Sequence, residues 1–107
     1  MSNKRNKGGD TRMRELAVEI RNEQGLHTKP VTLIVKKVRS YNSELIVEKL
    51  DKWGKCEEAV KGDEMLGLLS MAAEKGTRLL LKADGEDEEE LLRELYTLIE
   101  VEKFGEE

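Results

Sequence analysis

This sequence of 107 residues has few of the residue types that build catalytic or metal centres. It contains one cysteine, Cys56, and one histidine, His27, which exclude an internal disulfide and a His/Cys metal cluster. Such cysteine usage is typical of a reducing compartment. No apolar run approaches the roughly 20 residues that span a bilayer, and the polar first residues lack an apolar signal core. We therefore expect a cytoplasmic protein without a membrane partner.

Aromatic residues make up only 4% of the chain, so the core must be aliphatic. A single domain of this length can bury such a core. No glycine-rich loop followed by Lys and Ser or Thr is present, so nothing indicates an ATP site and we expect no cofactor. The acidic run Glu86–Glu90 fits the first turn of a helix better than a cation site.

Charge is distributed unevenly along the chain. Residues 1–14 contain five basic residues and one acidic residue (net +4), whereas the remainder contains fourteen basic and twenty-two acidic residues (net −8). An acidic body argues against nucleic acid as the partner, because phosphate contacts need a clustered basic face. We expect residues 1–14 to form a disordered leader, residues 15–103 the folded domain and residues 104–107 a tail.

The hydrophobic pattern predicts seven elements, in the order strand, helix, strand, strand, helix, strand, helix. Leu16, Val18 and Ile20 alternate with polar residues, as in a half-buried strand. The other predicted strands are Ser43–Lys49, Lys55–Val60 and Thr77–Ala83. Four strands and three helices pack most economically as one sheet with all helices on one face, an α+β fold.

The predicted helices are bounded by caps and apolar stripes. Pro30 fits only in a first helical turn, so His27 or Thr28 would be the N-cap of the first helix. The second helix is predicted between an N-cap at Asp63 and an exit at Gly76, and the third opens with the acidic run. The predicted buried stripes are Val31, Ile34, Val35 and Val38; Met65, Leu66, Leu69 and Ala73; and Leu91, Leu92, Leu95, Leu98 and Ile99.

The run Gly25–Pro30 places an imidazole at a helix start, beside backbone amides that lack intrahelical partners. Such a start binds anions, and a neutral imidazole nitrogen there can attack a phosphoryl donor. The Thr28 amide lies at this start, and Lys29 would offset charge on the transferring group. On the residues alone, a polar surface or capping role for His27 is the commoner alternative.

The segment Gly25–Pro30 resembles the phosphorylation site of the HPr family, the phosphocarriers of the bacterial sugar phosphotransferase system. Residues 66–72 with Lys75-Gly76 resemble the second helix of the family and its exit, and residues 83–88 resemble the start of its last helix. The resemblance spans about residues 15–102. It implies an open-faced β-sandwich with a four-stranded antiparallel sheet and three helices on one face (βαββαβα), which matches the predicted order.

The resemblance implies a carrier with a transient phosphohistidine, not a self-sufficient enzyme. His27 would accept a phosphoryl group on Nδ1 from enzyme I, which draws on phosphoenolpyruvate, and pass it to an enzyme II A component. Met65, Leu66 and Leu69 fall where the family presents an apolar docking patch, with plain core packing as the alternative. We expect a monomer without a metal site.

Two positions depart from the family pattern. The family has arginine two residues after the active histidine, whereas Lys29 keeps the charge but loses the planar fork that grips a phosphate with two bonds. The regulatory serine position of the family falls on Glu64, which cannot be phosphorylated but carries a permanent negative charge. A second interpretation therefore stays open: a regulatory module, of a nitrogen or other regulatory branch, that docks on a kinase or transcription factor without transferring phosphate.

Overall fold

A computed structural model describes residues 14–106, which form four strands and three helices in the predicted order. The strands are β1 Arg14–Glu19, β2 Ser43–Leu50, β3 Cys56–Lys61 and β4 Arg78–Gly85. The helices are α1 Thr28–Arg39, α2 Met65–Ser70 and α3 Glu88–Tyr96. The predicted leader lies outside the described residues except for Arg14, which begins β1.

The strands form one antiparallel sheet in the order β1-β4-β2-β3. Val18 pairs with Leu79, and Leu45 pairs with Ala83, so buried side chains lie opposite one another in the ladder. The helices cover the face to which these side chains point. The predicted α+β open-faced sandwich with a four-stranded antiparallel sheet is therefore confirmed.

Helix α1 follows its sequence signals closely. His27 is its N-cap and Pro30 lies in its first turn. At its C-terminus the Ser40 amide donates to the Lys37 carbonyl, and the Tyr41 amide donates to the Val38 carbonyl. The predicted apolar stripe is buried: Val31, Ile34, Val35 and Val38. This stripe fixes how α1 lies on the sheet, and so fixes the position of its first turn.

Helix α2 differs from its prediction. The N-cap is Glu64 instead of Asp63, and the helix ends at Ser70, well before Gly76. Its buried residue is Leu68, whereas Leu66 has 82% of its surface exposed. Of the predicted stripe, Ala73 is buried and Met65 and Leu69 are partly buried, so the prediction was wrong for Leu66. Six residues are too few for helical periodicity to decide which side chain faces the core.

The chain after α3 belongs to the packed structure. Asp87 is the N-cap of α3, so this helix begins two residues after the predicted start at Glu86. A π-helical turn, Thr97–Val101, and a 3-10 turn, Lys103–Gly105, follow α3. Phe104, which the sequence assigned to a tail, is 1% exposed and joins the core. The core therefore extends past residue 103.

Candidate functional site

The loop between β1 and α1 holds His27 against the segment that follows α2. The Leu26 amide donates to the Ala73 carbonyl at 2.9 Å, and the buried Asn22 donates through Nδ2 to the Gly25 carbonyl at 2.8 Å. Gly25 has a φ of +68°, and a Cβ at this position would overlap the Ala73 carbonyl oxygen. The loop can approach Ala73 this closely because residue 25 is glycine.

The start of α1 has backbone donors without a capping side chain. The His27 carbonyl accepts the Val31 amide at 3.1 Å, and the side chain of this N-cap residue makes no capping hydrogen bond. The amides of Thr28 and Lys29 precede the first intrahelical donor, and Pro30 has none. The first turn also contains no acidic residue. Its positive dipole end is thus available to an anion beside the imidazole.

The imidazole of His27 is held by a carboxylate from the other end of the chain. His27 Nε2 lies 2.9 Å from Glu106 Oε2 and 3.1 Å from Oε1. Asn22 Nδ2 also donates to Glu106 Oε1, at 3.0 Å. The hydrogen bond from His27 holds the pKa of Glu106 below its ordinary value of 4.5; Asn22 and the charge of Lys29 act in the same direction, and partial burial opposes them.

Lys29, the second residue of α1, lies beside the C-terminal segment, residues 102–106. Its Nζ is 3.9 Å from the point that a Cβ on Gly105 would occupy. The His27 side chain is 37% exposed, so the ring remains accessible from solvent. His27, Thr28 and Lys29 are therefore gathered at one helix start together with Glu106.

The predicted docking residues lie on α2, which packs against α1. Leu66 is exposed, whereas Met65 and Leu69 are partly buried against the core. Glu64 is exposed at the N-cap. Within residues 14–106, no hydrogen bond or ion pair joins these four side chains to His27 or Lys29. The two groups are joined by the packing of α2 against α1 and by the backbone hydrogen bond from Leu26 to Ala73, which follows α2.

Sequence reasoning missed Glu106 and Asn22. His27 and Glu106 are 79 positions apart, and residues 104–107 carry no periodic pattern that predicts packing. The signal that was present is Phe104, an aromatic residue in an aromatic-poor chain, which anchors the segment in the core. Asn22 was placed only in a loop.

Comparisons with known proteins agree with this geometry. The family described as "PTS HPr component phosphorylation site" matches residues 15–101, most of the chain. The chain belongs to the HPr family. The resemblance found in the sequence is thereby confirmed.

Three relatives illustrate the range of the HPr family. The chain is 37% identical to the crystal structure of HPr-C-His from Thermoanaerobacter tengcongensis, with a TM-score of 0.77, covering 89% of this chain and 99% of the other. It is 34% identical to the HPr-like protein Crh of Bacillus subtilis over 79% of this chain and 93% of Crh. It is 38% identical to the multiphosphoryl transfer protein of Salmonella typhimurium over 69% of this chain.

The chain covers only 19% of the multiphosphoryl transfer protein, about a fifth of its length. HPr domains therefore occur both as small proteins and within longer ones. In the part of the chain that the structure describes, no helix is long and apolar enough to cross a membrane. Over the same residues, no group of three or more His, Cys, Asp or Glu side chains is arranged to hold a metal ion.

Proposed function

We propose that this HPr-family protein is a phosphoryl carrier that accepts a phosphoryl group on Nδ1 of His27 and passes it on. The donor would be an enzyme I that draws on phosphoenolpyruvate, and the acceptor an enzyme II A component. The observation that carries the proposal is the His27 imidazole at the start of α1, with Nε2 bonded to Glu106 and, among residues 14–106, no side chain bonded to Nδ1. Such a carrier would act in the cytoplasm.

The chemistry follows from the helix start. The Nδ1 lone pair forms a bond to the donor's phosphorus, and the bond from phosphorus to the donor breaks with its electron pair returning to the donor. The phosphoryl oxygens carry added negative charge, which the open amides of Thr28 and Lys29 and the α1 dipole stabilise. The Lys29 ammonium offsets further charge during transfer.

Helix α2 supplies the surface that both protein partners would use in turn. Leu66 is an exposed apolar side chain that does not pack into the core, and the partly buried Met65 and Leu69 lie on the same short helix. An exposed apolar side chain on a helix that packs against α1 is consistent with a transient docking surface. We propose that enzyme I and the enzyme II A component contact this surface, with the chain as a monomer.

Phosphorus NMR tests the proposal. The purified protein is incubated with phosphoenolpyruvate and an enzyme I, and a control HPr is phosphorylated in a parallel sample. We expect an acid-labile phosphohistidine signal that is absent in His27→Ala and unchanged in Ser70→Ala, since Ser70 is exposed at the end of α2. A labelled control without a signal from this protein would contradict the carrier function.

The second candidate is a regulatory module that binds a kinase or transcription factor without transfer. The similarity to the HPr-like protein Crh supports it. Glu64 supports it too, because this exposed N-cap residue carries a fixed negative charge at the α2 start. This candidate predicts that His27→Ala binds the partner with little loss and that Glu64→Lys binds poorly. The carrier predicts that Glu64→Lys remains a phosphoryl acceptor.

A further inference from the structure

We propose that Glu106 is a positioning residue that sets which nitrogen of His27 is the nucleophile. A carboxylate can only accept hydrogen bonds, and both of its oxygens lie within 3.1 Å of Nε2. The hydrogen of the neutral ring must therefore sit on Nε2, which leaves the lone pair on Nδ1. The inference rests on the proposed function for its catalytic consequence, but the tautomer can be measured independently.

The C-terminal segment is built to hold this carboxylate in place. Phe104 is buried, and the backbone turns through three residues of positive φ, at Lys103, Phe104 and Gly105, before Glu106. Two of these residues are not glycine, so their left-handed conformation needs support from the surrounding packing. The buried side chain of Phe104 gives that support and leaves Glu106 directed back at the loop.

A second donor fixes the orientation of the carboxylate. Asn22 Nδ2 donates to the Gly25 carbonyl and to Glu106 Oε1, so one buried amide joins the loop before α1 to the C-terminal segment. Lys29 on α1 also lies near the Glu106 carboxylate, but its ammonium group cannot accept a hydrogen bond from the His27 ring. Glu106 is therefore the side chain placed to take the Nε2 hydrogen.

The consequence for transfer can be written as a balanced step. The Nδ1 lone pair forms a bond to the phosphorus of the phosphorylated donor, and the bond between that phosphorus and the donor breaks with its electron pair returning to the donor. The His27 ring then bears phosphorus on Nδ1 and hydrogen on Nε2, and so carries a positive charge. The Glu106 carboxylate balances that charge, as carboxylates do beside other catalytic histidines.

Nitrogen-15 NMR of the imidazole and phosphorylation kinetics test the inference together. The protein, Glu106→Ala and Glu106→Gln are compared near pH 9, where imidazoles are neutral. We expect the protein to show a hydrogen on Nε2 and a lone pair on Nδ1. In Glu106→Ala the two nitrogen signals should move toward each other as the other tautomer gains population, and phosphorylation by enzyme I should slow about tenfold.

Two variants separate positioning from stability. Glu106→Gln keeps an oxygen that accepts from Nε2 but loses the charge, so it should retain the tautomer and recover part of the rate. Glu102→Ala changes an exposed carboxylate in the same segment and should match the unsubstituted protein in both measurements. A purely structural role for Glu106 would give no recovery by glutamine.

Ring-nitrogen signals that are identical in the protein and in Glu106→Ala would overturn the inference, whether or not phosphorylation occurs. If the signals shift as expected but no variant is phosphorylated while a control HPr is, the positioning role stands and the carrier function fails. If Glu106→Ala does not fold, the same comparison with Glu106→Gln decides, because loss of the Nε2 hydrogen bond there would contradict the role.

Discussion

The starts of α1 and α3 differ in the acidic residues that lie at the positive end of the helix dipole. Four carboxylates surround the start of α3, where Asp87 is the N-cap and Glu88, Glu89 and Glu90 fill the first turn. No acidic residue lies in the first turn of α1. A helix start that is already neutralised by carboxylates repels an incoming anion, whereas an open one attracts it. The carboxylates at the start of α3 stabilise that helix, and the absence of acidic residues from the first turn of α1 is what the proposed carrier function requires.

Their connections to the rest of the molecule differ in the same sense. Asp87 Oδ2 accepts the Asn42 amide at 2.8 Å, and its other oxygen accepts the Ser43 hydroxyl, which ties α3 to the start of β2. At α1, the carboxylate of Glu106 bonds the side chain of the N-cap residue and leaves the backbone donors open. The N-cap carboxylate of α3 therefore joins that helix to β2, whereas the carboxylate near the start of α1 holds the imidazole.

Placing a carboxylate at the start of α1 should cause the largest effect. Thr28 is exposed in the first turn, so Thr28→Asp should be tolerated and should raise the free energy of unfolding by about 0.5 kcal/mol through the dipole. The same charge repels a phosphoryl group, and we expect phosphorylation of His27 to slow about a hundredfold. Rate and urea unfolding are measured on both Thr28→Asp and Thr28→Asn. Equal rates for the two variants would contradict the comparison.

Gly25→Ala should disturb the start of α1 from outside the helix. The added methyl group would overlap the Ala73 carbonyl at a backbone φ of +68°, so we expect the free energy of unfolding to fall by about 2 kcal/mol. Gly76→Ala is the matched control, because its φ is also positive but nothing lies within 4 Å of its Cβ position. A smaller loss for Gly25 than for Gly76 would exclude close packing as the cause.

Ser43→Ala should weaken the start of α3 without affecting transfer. The hydrogen bond from the Ser43 hydroxyl to Asp87 is lost in this variant. We therefore expect the midpoint of urea unfolding at neutral pH, measured by far-ultraviolet circular dichroism, to fall by roughly 0.5 M. Phosphorylation of His27 should keep its rate. Slower phosphorylation would mean that the two helix starts are coupled.

The effect of Ser43→Ala should also depend on pH. The Ser43 hydroxyl and, after it, the Asn42 amide lower the pKa of Asp87 from its ordinary value of 3.8. A carboxylate with a lowered pKa in the folded state contributes stability above its unfolded value, and this is lost as pH falls through the folded pKa. The midpoint difference between the protein and Ser43→Ala should therefore persist at neutral pH and shrink below about pH 3.8.

Lys29→Arg should have the smallest effect. Arginine restores a planar fork that can hold a phosphoryl group with two hydrogen bonds, and we expect transfer to speed up about threefold. Lys36→Arg, on the exposed part of the same helix, is the control. An unchanged rate in Lys29→Arg would mean that the amides of α1 carry the charge stabilisation without help from this side chain.

Local patterns predicted most of the fold and half of the site. Pro30 marked the start of α1, and four apolar residues at helical spacing marked its buried face, so the positions of His27, Thr28 and Lys29 could be predicted. Their chemical roles stay predictions. In α2 the same reasoning misplaced Leu66 and missed Leu68, because Gly67 lies against Val60 and Leu68 faces the core in a helix of only six residues.

Glu106 lay beyond prediction for a different reason. Its contact with His27 depends on the left-handed turn through Phe104, and a tertiary contact of this kind leaves no periodic trace in the sequence. Asn22, which joins the loop to Glu106, could equally have been a solvated loop residue. The positions of residues 27–29, which are contiguous, could be predicted from the sequence. The contacts of Asn22 and Glu106, which depend on tertiary packing, could not.

The separation of 79 positions between His27 and Glu106 has a consequence for biosynthesis. The histidine leaves the ribosome early, within a chain that cannot yet fold because β4 and α3 are still missing. Its carboxylate partner follows 79 positions later. The site therefore assembles only after all of residues 22–106 have been synthesised, and on the proposed role of Glu106 a chain truncated before residue 106 presents an imidazole without its positioning carboxylate.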